Sequence, residues 1–418
     1  MNENKYRIEN SSLLLLSFFY LSILVGFYFG ENLNSGTKPD WLSVNVSIID
    51  FSTNFKHTFL NYDDYGHRHS PLYFIFLSFF YKIGLDLDLI RLVHLHLCLS
   101  IIVIFYLCLK LKFDKVNSNY LILLSFIIFL SPSFRSLSIW PDSRLPGFIF
   151  FIFSVYFFLK FQKFNKVKYA FYNNLFLIIS SYLSPNFSVF VVFFFITFLK
   201  KIEFKNLIFL LFFNFLASIP MLYYLFVLKI NFLLAGGTPK LLSDNHGLTI
   251  DFNLSNKILI ISSIILFHLF PLFLSKNFFD KFYKFIKKNF LLVFLLLILL
   301  AYFFNYNLNF TGGGVFFQFS NIFFKNNYFF FIVCFFSISL ILYYSSLSFS
   351  NLVLIFLIII SNIQNSIYHK YYEPLILILF FLILEKANPE NLIKKNNLIY
   401  LYIFSVFYIL LRVAKNFI

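Results

Sequence analysis

From Phe290 to Phe304 the chain runs without a single charged or amide side chain. A helix built from such a stretch is apolar on every face and offers nothing to water. Comparable runs recur along the whole length, separated by short polar segments. With 60% of its 418 residues hydrophobic and only 12% charged, a soluble chain of this size could not bury its apolar surface in one or two domains. The solvent is therefore lipid. If each crossing takes about 20 residues, roughly 13 crossings use about 260, close to the whole hydrophobic inventory. The expected fold is all-α: a polytopic transmembrane helical bundle of about 13 spans, forming one integral membrane domain over residues 1–418.

The apolar set is dominated by Phe, Leu and Ile, with 69 Phe and 27 Tyr. Stripes this abundant read as lipid-facing and packing surface rather than as a sugar-stacking box. A net charge of +16 raises the question of nucleic acid. The Lys residues fall in short clusters between apolar runs, however, not on one basic face, so a nucleic-acid partner is excluded and cytoplasmic retention explains them. Cys98, Cys108 and Cys334 lie inside apolar runs and imply no disulfide framework or zinc motif. Lys5 and Arg7 precede an apolar stretch from Ser12 to Tyr28 that lacks a cleavage site, which predicts a retained first span with a cytoplasmic N-terminus.

With that orientation, the clusters at 110–115, 160–168, 200–205, 276–288 and 386–395 are cytoplasmic. Spans are expected near 12–30, 88–109, 119–136, 145–160, 171–184, 186–199, 205–228, 257–275, 289–304, 327–344, 349–362, 372–385 and 397–411. The pair over 171–199 meets at Ser184-Pro185-Asn186 and is alternatively one long bent helix. Pro71 to Ile83 is short for a crossing and would invert the sides that follow, so it is expected to be a juxtamembrane helix against the outer leaflet. The outward segments are then 31–70, 137–144, 229–256, 305–326 and 363–371, the first being the longest. Gly236-Gly237 and Gly312-Gly313-Gly314 read as loop turns, not phosphate sites.

The eight His are unevenly placed. His57, His67, His69, His246 and His369 fall in outward loops, His94 and His96 near the outer end of a span, and His268 within one. None is cytoplasmic, which points to a functional site on the outer side. The first outer loop, 31–70, carries Asp40 early and Asp63, Asp64, His67, Arg68 and His69 late, and a loop of this length closes easily on itself. A carboxylate there can act as general base on an acceptor hydroxyl, or hold a divalent cation beside a phosphate leaving group. Arg68, His67 and His69 can bind that phosphate directly. The competing reading of Asp40, Asp63 and Asp64 is loop solvation and turn capping. Asp142 and Arg144 stand at the mouth of two helices, with helix capping the alternative for Asp142. His369, Lys370 and Tyr371 enter a later span, where Lys370 can anchor a lipid phosphate, the alternative being an interfacial Lys and Tyr belt.

In their order, these residues resemble the GT-C superfamily of polytopic glycosyltransferases, in particular the protein O-mannosyltransferase and lipid A aminoarabinose transferase branch. The resemblance rests on Asp40, the H-x-P-L-Y segment His69–Tyr73, the Arg-led helix at Arg91-Leu92-Val93, Asp142, and the K-Y-x-x-P segment Lys370–Pro374. It is strongest over residues 1–200. The family usually shows H-P-P-L where this chain has His69-Ser70-Pro71-Leu72, and a second acid where this chain has Trp41. The resemblance implies a polyprenyl-phosphate-linked sugar donor, a membrane lipid, and an envelope lipid, polysaccharide or protein as acceptor, with chemistry on the outer face of the bacterial inner (plasma) membrane. Asp40 and Asp142 would be catalytic, and Arg68, His69 and Lys370 would hold the donor phosphate. Asp63, Asp64, His67, Arg144, His369 and Tyr371 are further candidates, and a divalent cation is the one cofactor this chemistry admits. Rival readings are a transporter or flippase of lipid-linked saccharides, which needs polar residues and broken helices along a central path, and a polysaccharide polymerase.

Overall fold

The computed structural model describes residues 10–34, 36–65, 67, 70–226, 253–307, 312–362, 366–386 and 392–415. Among them every regular element is helical. Eight helices are long and apolar enough to cross a membrane, or nine if one bent pair counts as a span. The chain forms two compact units, one of residues 1–243 with 408–418 and one of residues 244–407.

In the first unit, α1 (Asn10–Tyr28) leads into α2 (Thr37–Thr53) and α3 (Phe55–Leu60). The first outer segment is thus helical where the sequence reads as loop. Its polar composition hides an apolar stripe at Trp41, Val44, Ile48 and Phe51, all buried, which draws α2 onto α4 (Leu72–Lys82). At 11 residues, α4 is shorter than a typical crossing.

Next come α5 (Leu87–Lys112), α6 (Ser118–Phe126) and α7 (Pro132–Ile139). The single span expected over 119–136 is instead broken, its halves meeting at 67°. Pro132 cannot donate a helical hydrogen bond, and Ser131 accepts from the Phe134 amide at 3.0 Å to start α7 afresh. Then follow α8 (Arg144–Phe164), α9 (Val167–Leu183), α10 (Val191–Leu199) and α11 (Phe204–Phe226). Here α9 and α10 are separate, joined by a 3₁₀ turn that begins at Pro185. The α8–α9 contact is close enough that a Cβ on Gly147 would lie 2.8 Å from Ser184 Cβ.

The second unit holds α12 (Leu254–Leu269), α13 (Lys276–Tyr302), α14 (Gly314–Phe324), α15 (Tyr328–Leu347), α16 (Phe349–Ile360) and α17 (Glu373–Leu382), while α18 runs Lys395–Lys415. Its core is α12, buried along most of its length against α14, α15, α16 and α17. Two expectations are corrected. The 276–288 Lys cluster is not a loop but the first half of α13, because Phe278 and Phe282 stack one turn apart and pack on Tyr343. The 305–326 loop contains α14, entered through Gly312, Gly313 and Gly314, all at positive φ. A Cβ on Gly312 would overlap the Ile367 carbonyl, to which Gly313 donates at 2.9 Å.

Outward faces of α11 and α13 remain apolar. Phe209, Phe212, Phe215 and Ile219 on one helix, and Leu291, Leu295, Ile298 and Leu299 on the other, are all exposed. Apolar faces of this extent suit contact with lipid, as in a multi-pass membrane protein.

Candidate functional site

The two acids singled out from the sequence come together. Asp40 lies in the first turn of α2, and Asp142 stands two residues before α8, which Arg144 begins. Asp142 precedes the N-cap, Ser143, whose side chain makes no capping bond, but its Oδ1 accepts from the first helical amide, that of Arg144, at 2.8 Å. Its Oδ2 also lies 3.4 Å from Arg144 Nε, while Arg144 Nη2 lies 3.8 Å from Asp40 Oδ2. One guanidinium therefore faces two carboxylates. Their exposures differ in a way that matters, Asp40 being 43% exposed and Asp142 only 9%. Asp40 is the carboxylate a ligand can reach, and Asp142 is the inner one that fixes Arg144.

His67 joins this group. Seven residues separate Asp40 from Ser47, so both lie on one face of α2, and Ser47 Oγ is 2.6 Å from His67 Nε2. Burial pulls the His67 pKa down to about 4, against the opposing pull of Asp142 and Asp40, so the ring is neutral at pH 7. It stacks on Tyr65 at 6.0 Å and touches Phe74 at 4.7 Å between ring centres. Tyr65 donates to Asp50 Oδ2 at 2.5 Å, and burial together with that bond pushes its pKa up to about 12.

A polar frame beneath holds these parts still. Arg135 on α7 makes a two-pronged contact with Glu31, Nε to Oε1 and Nη2 to Oε2, each at 2.6 Å. Glu31 also accepts through its backbone carbonyl from Trp140 Nε1 at 2.9 Å. Asn34 bonds Ser136 and Ser133 of α7, and Arg412 of α18 donates to Leu33 O and Asn34 Oδ1 at 2.6 and 2.8 Å. His94 donates from Nε2 to Leu137 O at 2.8 Å, which leaves Nδ1 to accept from the Tyr73 hydroxyl and ties α4, α5 and α7 together. Arg91 lies 3.9 Å above the Trp140 ring and donates to Ile139 O. The segment 139–142 is thereby fixed from several sides, and Asp142 with it.

Other expected residues are placed differently. Asp63 and Asp64 belong to a 3₁₀ turn, Tyr62–Tyr65, in which Asp64 is exposed. Arg68, His69 and His246 lie outside the described residues. His369, Lys370 and Tyr371 form a 3₁₀ turn in the second unit. There His369 Nε2 accepts from the Val315 amide at 3.4 Å, and Lys370 Nζ lies 5.2 Å from the Tyr368 ring centre, the belt-like contact its sequence allows. Among the described residues no three His, Cys, Asp or Glu side chains gather as metal ligands. Between Asp40 and Asp142 the positive charge comes from Arg144, so the arrangement does not fit a divalent cation.

Sequence reading missed Ser47, the Glu31–Arg135 bridge and Arg412. An intramembrane Arg135 inside an apolar run was the available signal for the second, since such a charge demands a partner. Compared with family models, curated proteins and solved structures, the chain matches none.

Proposed function

We propose that this protein is a glycosyltransferase that moves a sugar from a polyprenyl-phosphate-linked donor to an envelope lipid, polysaccharide or protein on the outer face of the membrane. The proposal includes a bacterial plasma-membrane location, a cytoplasmic N-terminus, and about 13 crossings, α4 not being one of them. One observation carries it: Asp40 and Asp142, about a hundred residues apart and chosen for their order along the chain, meet at one guanidinium.

In this reading Asp40, the accessible carboxylate, takes the proton of the acceptor hydroxyl as that oxygen bonds to the anomeric carbon. The bond from that carbon to the donor phosphate breaks, and the electron pair leaves with polyprenyl phosphate. Asp142 holds Arg144, and Arg144 fixes Asp40 toward the acceptor while staying close to the developing negative charge. Arg68, His69 and Lys370 are the proposed phosphate ligands, on the resemblance alone. The bilayer supports the scheme physically, because a polyprenyl chain reaches a site only from within lipid.

The test is complementation of a deletion strain with wild type or Asp40→Asn, reading envelope glycans alongside protein abundance. Loss of one glycan at normal abundance is the expected result. Full restoration by the Asn variant removes Asp40 from the chemistry.

A further inference from the structure

Far from the carboxylates, α9 carries two neighbouring asparagines, Asn173 and Asn174, exposed by 1% and 5%. Asn173 has a clear partner on one side: its Nδ2 donates to Ser154 O at 2.9 Å and to Ser154 Oγ at 2.7 Å. A carbonyl can only accept, so this bond fixes the amide orientation and leaves Oδ1 as an acceptor. Neither Asn173 Oδ1 nor Asn174 Nδ2 meets a hydrogen-bonding partner among the described residues. An acceptor and a donor left unmade inside an apolar bundle are each costly, and the cost is greater where no bulk water reaches.

Both residues line the same cavity, of about 10 Å³, closed by Phe194 and Phe198 of α10 and by Leu210 and Asn214 of α11. That volume is roughly what a single water needs. Asn214 brings a third amide to the wall, its own Nδ2 being engaged by Leu210 O at 2.9 Å. The lining carries no charged side chain, so nothing there compensates an ion, and the room is too small for an organic ligand.

We propose that this cavity is a binding site for one water molecule, which donates to Asn173 Oδ1 and accepts from Asn174 Nδ2. Such a water satisfies both groups at once and links α9 to α10 and α11 within the apolar layer. It also gives a reason for two adjacent amides in a helix whose other residues are mostly apolar or aromatic.

The direct test is NMR of the full chain in lipid nanodiscs, labelled with ¹⁵N-asparagine, reading magnetisation transfer from long-lived water to the Asn174 side-chain amide. Transfer to that amide in the wild-type protein is expected. A resolved Asn174 amide with no transfer overturns the site. Thermal unfolding of Asn174→Leu gives a second reading whose sign separates the cases. With a bound water the variant strands Asn173 Oδ1, and Tm falls by about 2–6 °C. In a dry cavity it merely removes an unmade donor and fills space, so Tm is unchanged or rises, which refutes the proposal.

Discussion

Glu31→Gln is the most revealing single change in the frame of the first unit. The carboxylate meets Arg135 twice at 2.6 Å, with side-chain exposures of 19% for Glu31 and 6% for Arg135. Among the described residues Arg135 has further acceptors only in Ser22, at 3.2 Å to Oγ and 3.1 Å to O. Glutamine keeps the size and one acceptor but leaves the guanidinium buried without a counter-charge. Breaking a buried pair from one side costs about 3–5 kcal/mol, and the partial exposure of Glu31 reduces this to roughly 2–4 kcal/mol. At about 2–4 °C per kcal/mol, Tm in detergent should fall by roughly 5–10 °C. Arg135→Gln and the double variant complete the cycle. Since the second substitution removes a charge already stranded by the first, the double variant should lose less than the sum, by about 2 kcal/mol. A Glu31→Gln protein within about 1 kcal/mol of wild type, or strictly additive losses, would refute the reasoning that this bridge anchors α7.

Two further outcomes follow from burial and packing. The pKa of His67 lies at about 4 in the folded chain against an ordinary 6.5, so on acidification the unfolded chain takes the proton first and stability is lost as pH falls from 6.5 toward 4. Replacing it with Gln should remove roughly 2–3 kcal/mol of that loss, and equal pH dependence of unfolding in the two proteins would contradict it. Gly147→Ala places a Cβ 2.8 Å from Ser184 Cβ and 3.2 Å from Ser184 N, so the α8–α9 contact must open at a cost of about 1–3 kcal/mol, which an unchanged Tm would disprove.

What could be read from the sequence follows the length scale of each signal. Long apolar runs announced α5, α8 and α11 because lipid-length hydrophobicity survives any detail of packing. The helix α2 was hidden because Asp40, Ser43, Asn45, Ser47 and Asp50 lower its mean hydropathy, and its stripe of Trp41, Val44, Ile48 and Phe51 shows only when periodicity is sought inside a polar segment. Asp40 and Asp142 were singled out through their order along the chain and the side of the membrane expected for them. Their meeting at Arg144 was not legible, because pairing across so many positions is a tertiary fact. For the same reason Arg412 gave no hint of its bond to Leu33, 379 positions away. Lys370 was named for a phosphate, and its 5.2 Å approach to the Tyr368 ring is as compatible with that role as with an interfacial one, which sequence alone does not distinguish.

The charges at the carboxylate site bear on how the proposed reaction would hold its donor. Among the described residues of the group, two carboxylates face one guanidinium and His67 is neutral at pH 7. In the proposed reaction the anomeric carbon is the part of the donor that suits proximity to Asp40. Positive charge is available close by in the chain. Lys38, two residues before Asp40, lies 5.4 Å from the Trp140 ring centre, and Arg91 lies 3.9 Å from the same ring. Asp88 meets Arg91 at 2.8 Å but is itself 81% exposed, so solvent weakens its hold on that cation.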